Sequence, residues 1–196
     1  MRAIVASGAV IIVMALAAGV TAERHVDLTV RLYNTADIPA PELVGARRTA
    51  ASILSDAELN VIFRHCGRPK RPADPATPCD TPLQLSEVVV RIIAAPEFNT
   101  SLDPEAYGVT YVVKETNRGW LATVFSDRIE AAATRVGIDA GTLLGRVMAH
   151  EVGHLLLGRG YHGEAGIMRA EWSDERLGRS GDAWRFSKLE VAKIHH

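Results

Sequence analysis

In HEVGHLLLGRGYH, residues 150–162, two histidines stand four positions apart with a glutamate between them, and a third histidine closes the stretch. On a helix, residues four apart lie one turn apart on nearly the same face. The apolar residues on either side make this a buried helix, and Gly158 suits its C-terminal cap. Polar groups in such a place need a reason. His150 and His154 can converge on one tetrahedral ion, at Zn–N distances of about 2.0–2.1 Å. Glu151 is rotated off that line but borders the same spot, where it can take a proton from a water that the metal activates. The plainer alternative is an ordinary helix with two surface histidines.

One catalytic Zn2+ usually has three protein ligands and an open position. His162 is the nearest remaining histidine, and Gly158 and Gly160 let the chain turn back sharply to bring it under the metal. A downstream carboxylate is the rival third ligand, and Glu164, Glu171 and Glu175 are available for it. His25 and His65 belong to other elements, and His195 and His196 to the chain end.

Outward from this helix, periodicity divides the chain into short strands and helices. HVDLTVRLY (25–33) alternates as a strand, 34–41 is a turn region, and 42–57 carries Leu43, Ala46, Ala50, Ile53 and Leu54 at helical spacing. Residues 60–64 form a short strand. EVVVRII (87–93) is a near-continuous β-branched run, as in a strand buried on both faces. GVTYVV (108–113) and WLATVF (120–125) pair as a hairpin across KETNRG. A helix is expected over 127–135, the HExxH helix from about 139 or 142 to 158, and a last short helix after the Ser187/Glu190 capping box. No repeat or linker interrupts the pattern, so one α+β domain is expected over 23–196.

The chain has 196 residues, 47% hydrophobic and 23% charged, with a formal net charge of -1. That is enough for one domain with a real core. Near-neutral charge argues against a nucleic-acid partner. RHCGRPKRP (64–72), the one basic cluster, reads as a solvated loop. MRAIVASGAVIIVMALAAGVTA, residues 1–22, has a charged start, an apolar run and small residues before Glu23, as in a cleaved secretory signal peptide. The expectation is a secreted or periplasmic protein with no membrane contact after cleavage; an uncleaved anchor is the alternative. The first strand follows almost at once, which leaves no room for a substantial propeptide. In an oxidising compartment, Cys66 and Cys79, flanking a proline-rich loop, are most simply a disulfide.

HExxH, a glycine ending the helix, a third histidine and the later Gly166-Ile167-Met168 resemble the metzincin zinc peptidases. GVTYVV, a hairpin, a helix and AHEVGH in that order resemble the edge strand and helix of the adamalysin and matrixin groups; the likeness spans roughly 108–168. It implies a mixed twisted sheet with an antiparallel edge strand, zinc on His150, His154 and His162, and Met168 as a methionine turn beneath them. Two departures stand out. Metzincins place the glycine three and the third histidine six residues after the second histidine, whereas here Gly158 is four and His162 eight after His154. Ala170 stands where some metzincins carry a tyrosine.

The function expected is zinc-dependent endopeptidase action by a monomer on a peptide or protein substrate, with Glu151 as general base. Substrate would lie as an added strand along Gly108, Val109, Thr110, Tyr111 and Val112, with Leu121–Phe125 the second candidate edge. The wall from Met168 to Trp172 would shape the neighbouring side-chain pocket. The alternatives are a zinc hydrolase of a non-peptide amide or ester, and a non-catalytic zinc-binding module. An intact Glu151 argues against the last, because binding alone has no use for a base.

Overall fold

The computed structural model describes residues 26–67, 77–95 and 103–196. The apolar leader at 1–22, and with it the signal-peptide reading, lies outside the described residues.

Alternation in VDLTVRLYN produces strand β1 (Val26–Asn34), with Leu28, Val30 and Leu32 buried on one face and Arg31 on the other. Helix α1 (Ala40–Ser55) opens with a proline in its first turn, where a missing N–H costs nothing. It buries Leu43, Ala46, Ala50, Ile53 and Leu54, the stripe expected from the spacing. Strands β2 (Leu59–Cys66) and β3 (Glu87–Ile93) run parallel to β1 on its two sides. The hairpin of β4 (Gly108–Val113) and β5 (Arg118–Phe125) completes a mixed sheet in the order β2-β1-β3-β5-β4, with β5 parallel to β3 and β4 antiparallel to β5.

This order makes β4 an edge strand. It also corrects the second expectation: Leu121–Phe125 has β3 on one side and β4 on the other, so it offers no free edge. A single sequence distinguishes the members of a hairpin poorly, because both alternate; the parallel partner that covers one of them is distant in sequence.

Helix α2 (Ser126–Val136) stops at Gly137, which takes a left-handed conformation with φ 70°. Helix α3 (Ala140–Leu157) then starts at Asp139, whose side chain accepts the Thr142 amide at 2.7 Å. It lies against α1 at close range: a Cβ on Gly145 would stand 2.4 Å from the Ala46 carbonyl oxygen, and one on Gly141 2.6 Å from that of Glu42. Glycines facing Ala46 and Ala50 let the two backbones nearly touch, which fixes α3 over the sheet. Helix α4 (Asp174–Leu177), a 3-10 turn at Gly181–Trp184 and helix α5 (Lys188–Ile194) follow. The capping box of Ser187 and Glu190 opens α5 as expected. The four-residue pieces before it went unread because they are too short to show a period.

The main core lies between the sheet and these helices, around Val30, Leu32, Val90, Ile92, Ala122 and Val124. On the other face, Arg31 is buried in ion-pair contact with Glu87, which also receives Arg64 at 2.6 Å. Arg31 further donates to the carbonyls of Cys79 (3.2 Å), Thr81 (2.7 Å) and Pro82 (3.2 Å). Cys79 is disulfide-bonded to Cys66 at the end of β2. Among the described residues, no helix is long and apolar enough to cross a membrane.

Candidate metal centre

His150 and His154 occupy successive turns of α3, and their Nε2 atoms lie 3.0 Å apart. The third imidazole comes from His162, beyond the helix. Its ring is stacked over His150 at 5.7 Å and edge-on to His154 at 4.8 Å between centroids. One ligand atom from each of the three lies within 4.8 Å of the others, so the group could hold a metal ion. The chain reaches His162 through Gly158 and Gly160, with φ of 99° and 65°, conformations that favour glycine. The seven residues between His154 and His162 thus bring the third ring against the other two. Glu164, Glu171 and Glu175 are not part of the group. Glu171 and Glu175 line the same cleft as the histidines but lie outside the ligand cluster, and Glu175 is paired with Arg179. His195 binds the Ala57 carbonyl at 2.9 Å instead, and His25 falls outside the described residues.

The donor set suits a cation. His150 Nδ1 stands 2.8 Å from the Ile167 carbonyl oxygen, which holds the proton on that nitrogen and leaves the Nε2 lone pair facing His154. Such carbonyl contacts orient metal-binding histidines generally. His154 Nδ1 is shut off from solvent and has no hydrogen-bond partner. Whichever nitrogen of His154 carries the proton, the ring is left short of one interaction. When that proton is on Nδ1, the Nε2 lone pairs of His150 and His154 face each other, an unfavourable pairing that a cation between them would relieve. Burial pushes the His150 imidazole down to about 4, against the pull of the Ile167 carbonyl, and the nearby His162 adds to the fall. Burial likewise takes His154 to about 3, helped by His150 and His162, and lowers His162. All three rings are therefore neutral near pH 7, the state in which imidazole offers a lone pair to a metal.

Met168 is fully buried and its sulfur packs against α3 at Gly153, where a Cβ would come 2.3 Å from it. The residue before it supplies the carbonyl to His150. Gly163 N donates to the Met168 carbonyl at 2.9 Å, tying the third histidine's turn to the same segment.

Glu151 is 5% exposed and turns toward β4. Thr110 Oγ1 stands 2.6 Å from Glu151 Oε2 and 3.1 Å from the Glu151 carbonyl oxygen. Burial raises the carboxyl to about 7, and the Thr110 hydroxyl works against that rise. The three histidines, Glu151 and Gly108, Val109, Thr110 and Val112 of the edge strand all line one cleft of about 1010 Å³. Tyr111, the remaining position of the expected strand, points out of the opposite face and is 54% exposed. Trp172 closes one side of the cleft, its ring edge-on to His150 at 5.3 Å and 6.2 Å from Tyr107.

The sequence marks Thr110 as part of the expected substrate edge strand, without its contact to Glu151, and gives Gly153 no role. A period-two pair such as Gly108 and Thr110 marks a strand face, but nothing local says that the face meets Glu151, far along the chain. The chain matches no protein-family model and no curated protein.

Proposed function

We propose that this protein is an exported zinc-dependent endopeptidase on a metzincin-like domain, with zinc held by His150, His154 and His162 and Glu151 as general base. The observation that carries the reading is the meeting of three imidazoles, a buried carboxyl and a strand edge unpaired among the described residues in one cleft. A zinc ion in that place supplies Lewis acidity, lowering the pKa of a water towards ~7 and polarising a carbonyl.

The chain's own groups do the rest. β4 receives an extended peptide as an additional strand, its backbone N–H and C=O groups setting the register. Glu151 takes the proton from the attacking water and delivers it to the leaving amine nitrogen as the peptide bond breaks. Its carboxyl is suited to both tasks, because a group poised near pH 7 accepts and releases a proton with similar ease. Thr110 holds the carboxyl on the strand side. Trp172 and Tyr107 shape the wall beside the scissile bond. Export is supported by the leader-like residues 1–22 and by the Cys66–Cys79 disulfide, a bond that persists in oxidising compartments.

The test is a proteome-derived peptide library incubated with purified wild type and with Glu151→Gln, alongside zinc analysis of both. Near-stoichiometric zinc in each protein, with new peptide ends produced by the wild type alone, is the expected result. Zinc without cleavage of any peptide would move the reading to another amide or ester. Absence of zinc from the wild type would sink it.

A further inference from the structure

His162 is exposed, and its ring lies against the other two imidazoles. Its position is therefore set by the turn that carries it. That turn has few bonds of its own: Gly158 N to His154 O at 3.0 Å, Tyr161 N to Gly158 O at 3.5 Å, and Gly163 N to Met168 O at 2.9 Å. With left-handed glycines at 158 and 160, such a segment has several ways to run.

Two side chains from outside the turn grip its ends. Asn117 lies in the link between β4 and β5, at φ 50°, and its Oδ1 accepts the Arg159 amide at 2.9 Å. It sits so close over Gly158 that a Cβ there would be 2.1 Å from Asn117 Nδ2. At the other end stands Glu190 of α5, 1% exposed, with no cation paired to it among the described residues. Its Oε2 accepts the Ser187 amide at 2.7 Å. Its Oε1 abuts Gly163, where a Cβ would stand 2.3 Å away. The carboxylate also engages the Tyr161 hydroxyl, and Lys193, on the same helix, sits 4.4 Å over the Tyr161 ring.

We propose that Asn117 and Glu190 are positioning residues for the third metal ligand: they fix the two ends of the Gly158–Gly163 turn and so determine where His162 presents its ring. Glu190 is more than a helix cap, since the cap needs only one of its oxygens. The two anchors also explain how a long turn with two glycines holds its histidine beside the other two. The proposal rests on the metal-centre reading above, and its test separates the two.

The variants are Asn117→Gly, which keeps the left-handed backbone, Asn117→Asp, which keeps the accepting oxygen, Glu190→Ala, Glu190→Gln, and Ser187→Ala as a cap-only control. Three properties are measured: Zn2+ affinity against a chromophoric chelator, visible absorption of the Co2+ form, and amide exchange of residues 159–163 in metal-free protein. Asn117→Gly and Glu190→Ala are each expected to weaken Zn2+ binding about 10- to 100-fold, as changes in groups that orient ligands do. They should also shift the Co2+ spectrum toward that of His162→Ala and speed exchange in the turn. Asn117→Asp and Glu190→Gln should restore most of the affinity, and Ser187→Ala should leave it unchanged. Wild-type affinity and spectrum in Asn117→Gly and Glu190→Ala would overturn the proposal, as would a loss in Ser187→Ala equal to that in Glu190→Ala. If the wild type takes up no Zn2+, the metal reading fails, and exchange alone decides: unaltered protection of 159–163 in Glu190→Ala then refutes the anchoring.

Discussion

Gly108 has no side chain where Glu151 needs room: a Cβ there would lie 2.8 Å from Glu151 Oε1 and 2.8 Å from the Thr123 carbonyl oxygen. In Gly108→Ala the flexible carboxyl must yield, and β4 must also shift against the Thr123 carbonyl. A displacement on the order of 1 Å can cost about 100-fold in rate, and hydrolysis should fall by that order while zinc content stays at the wild-type level. Thr110→Val removes the hydroxyl beside the carboxyl without changing side-chain volume much, and it should lower the rate less than Gly108→Ala. Steady-state kinetics paired with metal analysis checks both; loss of zinc in either variant would place these residues in metal binding instead. His162→Ala should behave in the opposite sense, losing affinity for zinc, whereas Glu164→Gln, Glu171→Gln and Glu175→Gln should bind as wild type. Titration of these four variants against a chelator decides the third ligand. HExxH could be read from spacing because both histidines answer to one helical period. The roles of Gly108 and Thr110 could not, since the contact that defines them crosses from β4 to α3.

Among the elements, α3 matters most, because it carries two of the three histidines and Glu151. Its distance from α1 is set by Gly141 and Gly145, so Gly145→Val should force the helices apart. Overpacking of this kind costs about 1–3 kcal/mol, and denaturant unfolding should show at least that loss, with weaker metal uptake as the helix shifts. β3 holds a different control. Burial pushes the Glu87 carboxyl up, but hydrogen bonds from Arg31, the Gln84 amide and Arg64 outweigh it and hold the group below its ordinary 4.5. A carboxyl whose folded value lies below its unfolded one stabilises the fold above the unfolded value, and the contribution is lost as pH falls through the folded one. Wild-type stability should therefore decline on acidification below roughly pH 4.5, and Glu87→Gln should lose that part of the dependence. At neutral pH the variant leaves Arg31 buried without its carboxylate, a change that costs about 3 kcal/mol. Equal acid sensitivity in the two proteins would assign the loss to other groups. The strands and longer helices were legible within a few residues, from alternation, from helical spacing or, in β3, from a near-continuous β-branched run. α4 and the 3-10 turns have no such length, and they are held by distant groups, such as the Arg146 guanidinium on the Leu177 carbonyl at 2.7 Å.

On the scale of the molecule, the two faces of the sheet divide the work. The helical face carries the histidines, and the other carries the link from Cys66 to Cys79 with Arg31 beneath it. The cysteine pairing was legible because the chain contains only two cysteines. Their attachment to Arg31 was not, since it joins residues nearly fifty positions apart. Thr81, Pro82 and Cys79 all offer oxygens to that one guanidinium, so the loop has a polar fastening as well as a covalent one. Closing a loop of this size contributes about 3 kcal/mol through the unfolded chain, which for a domain of this length corresponds to roughly 6–12 °C in Tm. Cys66→Ser/Cys79→Ser should accordingly melt lower by that amount and still fold, because Arg31 continues to hold the loop on the sheet. At temperatures where it is folded, its Zn2+ affinity should equal that of the wild type, since the link and the histidines lie on opposite faces. Thermal melts and zinc competition on the same sample test both halves: an unchanged Tm would show that Arg31 alone suffices, and a fall in zinc affinity would show that the two faces are coupled through β1 and β3.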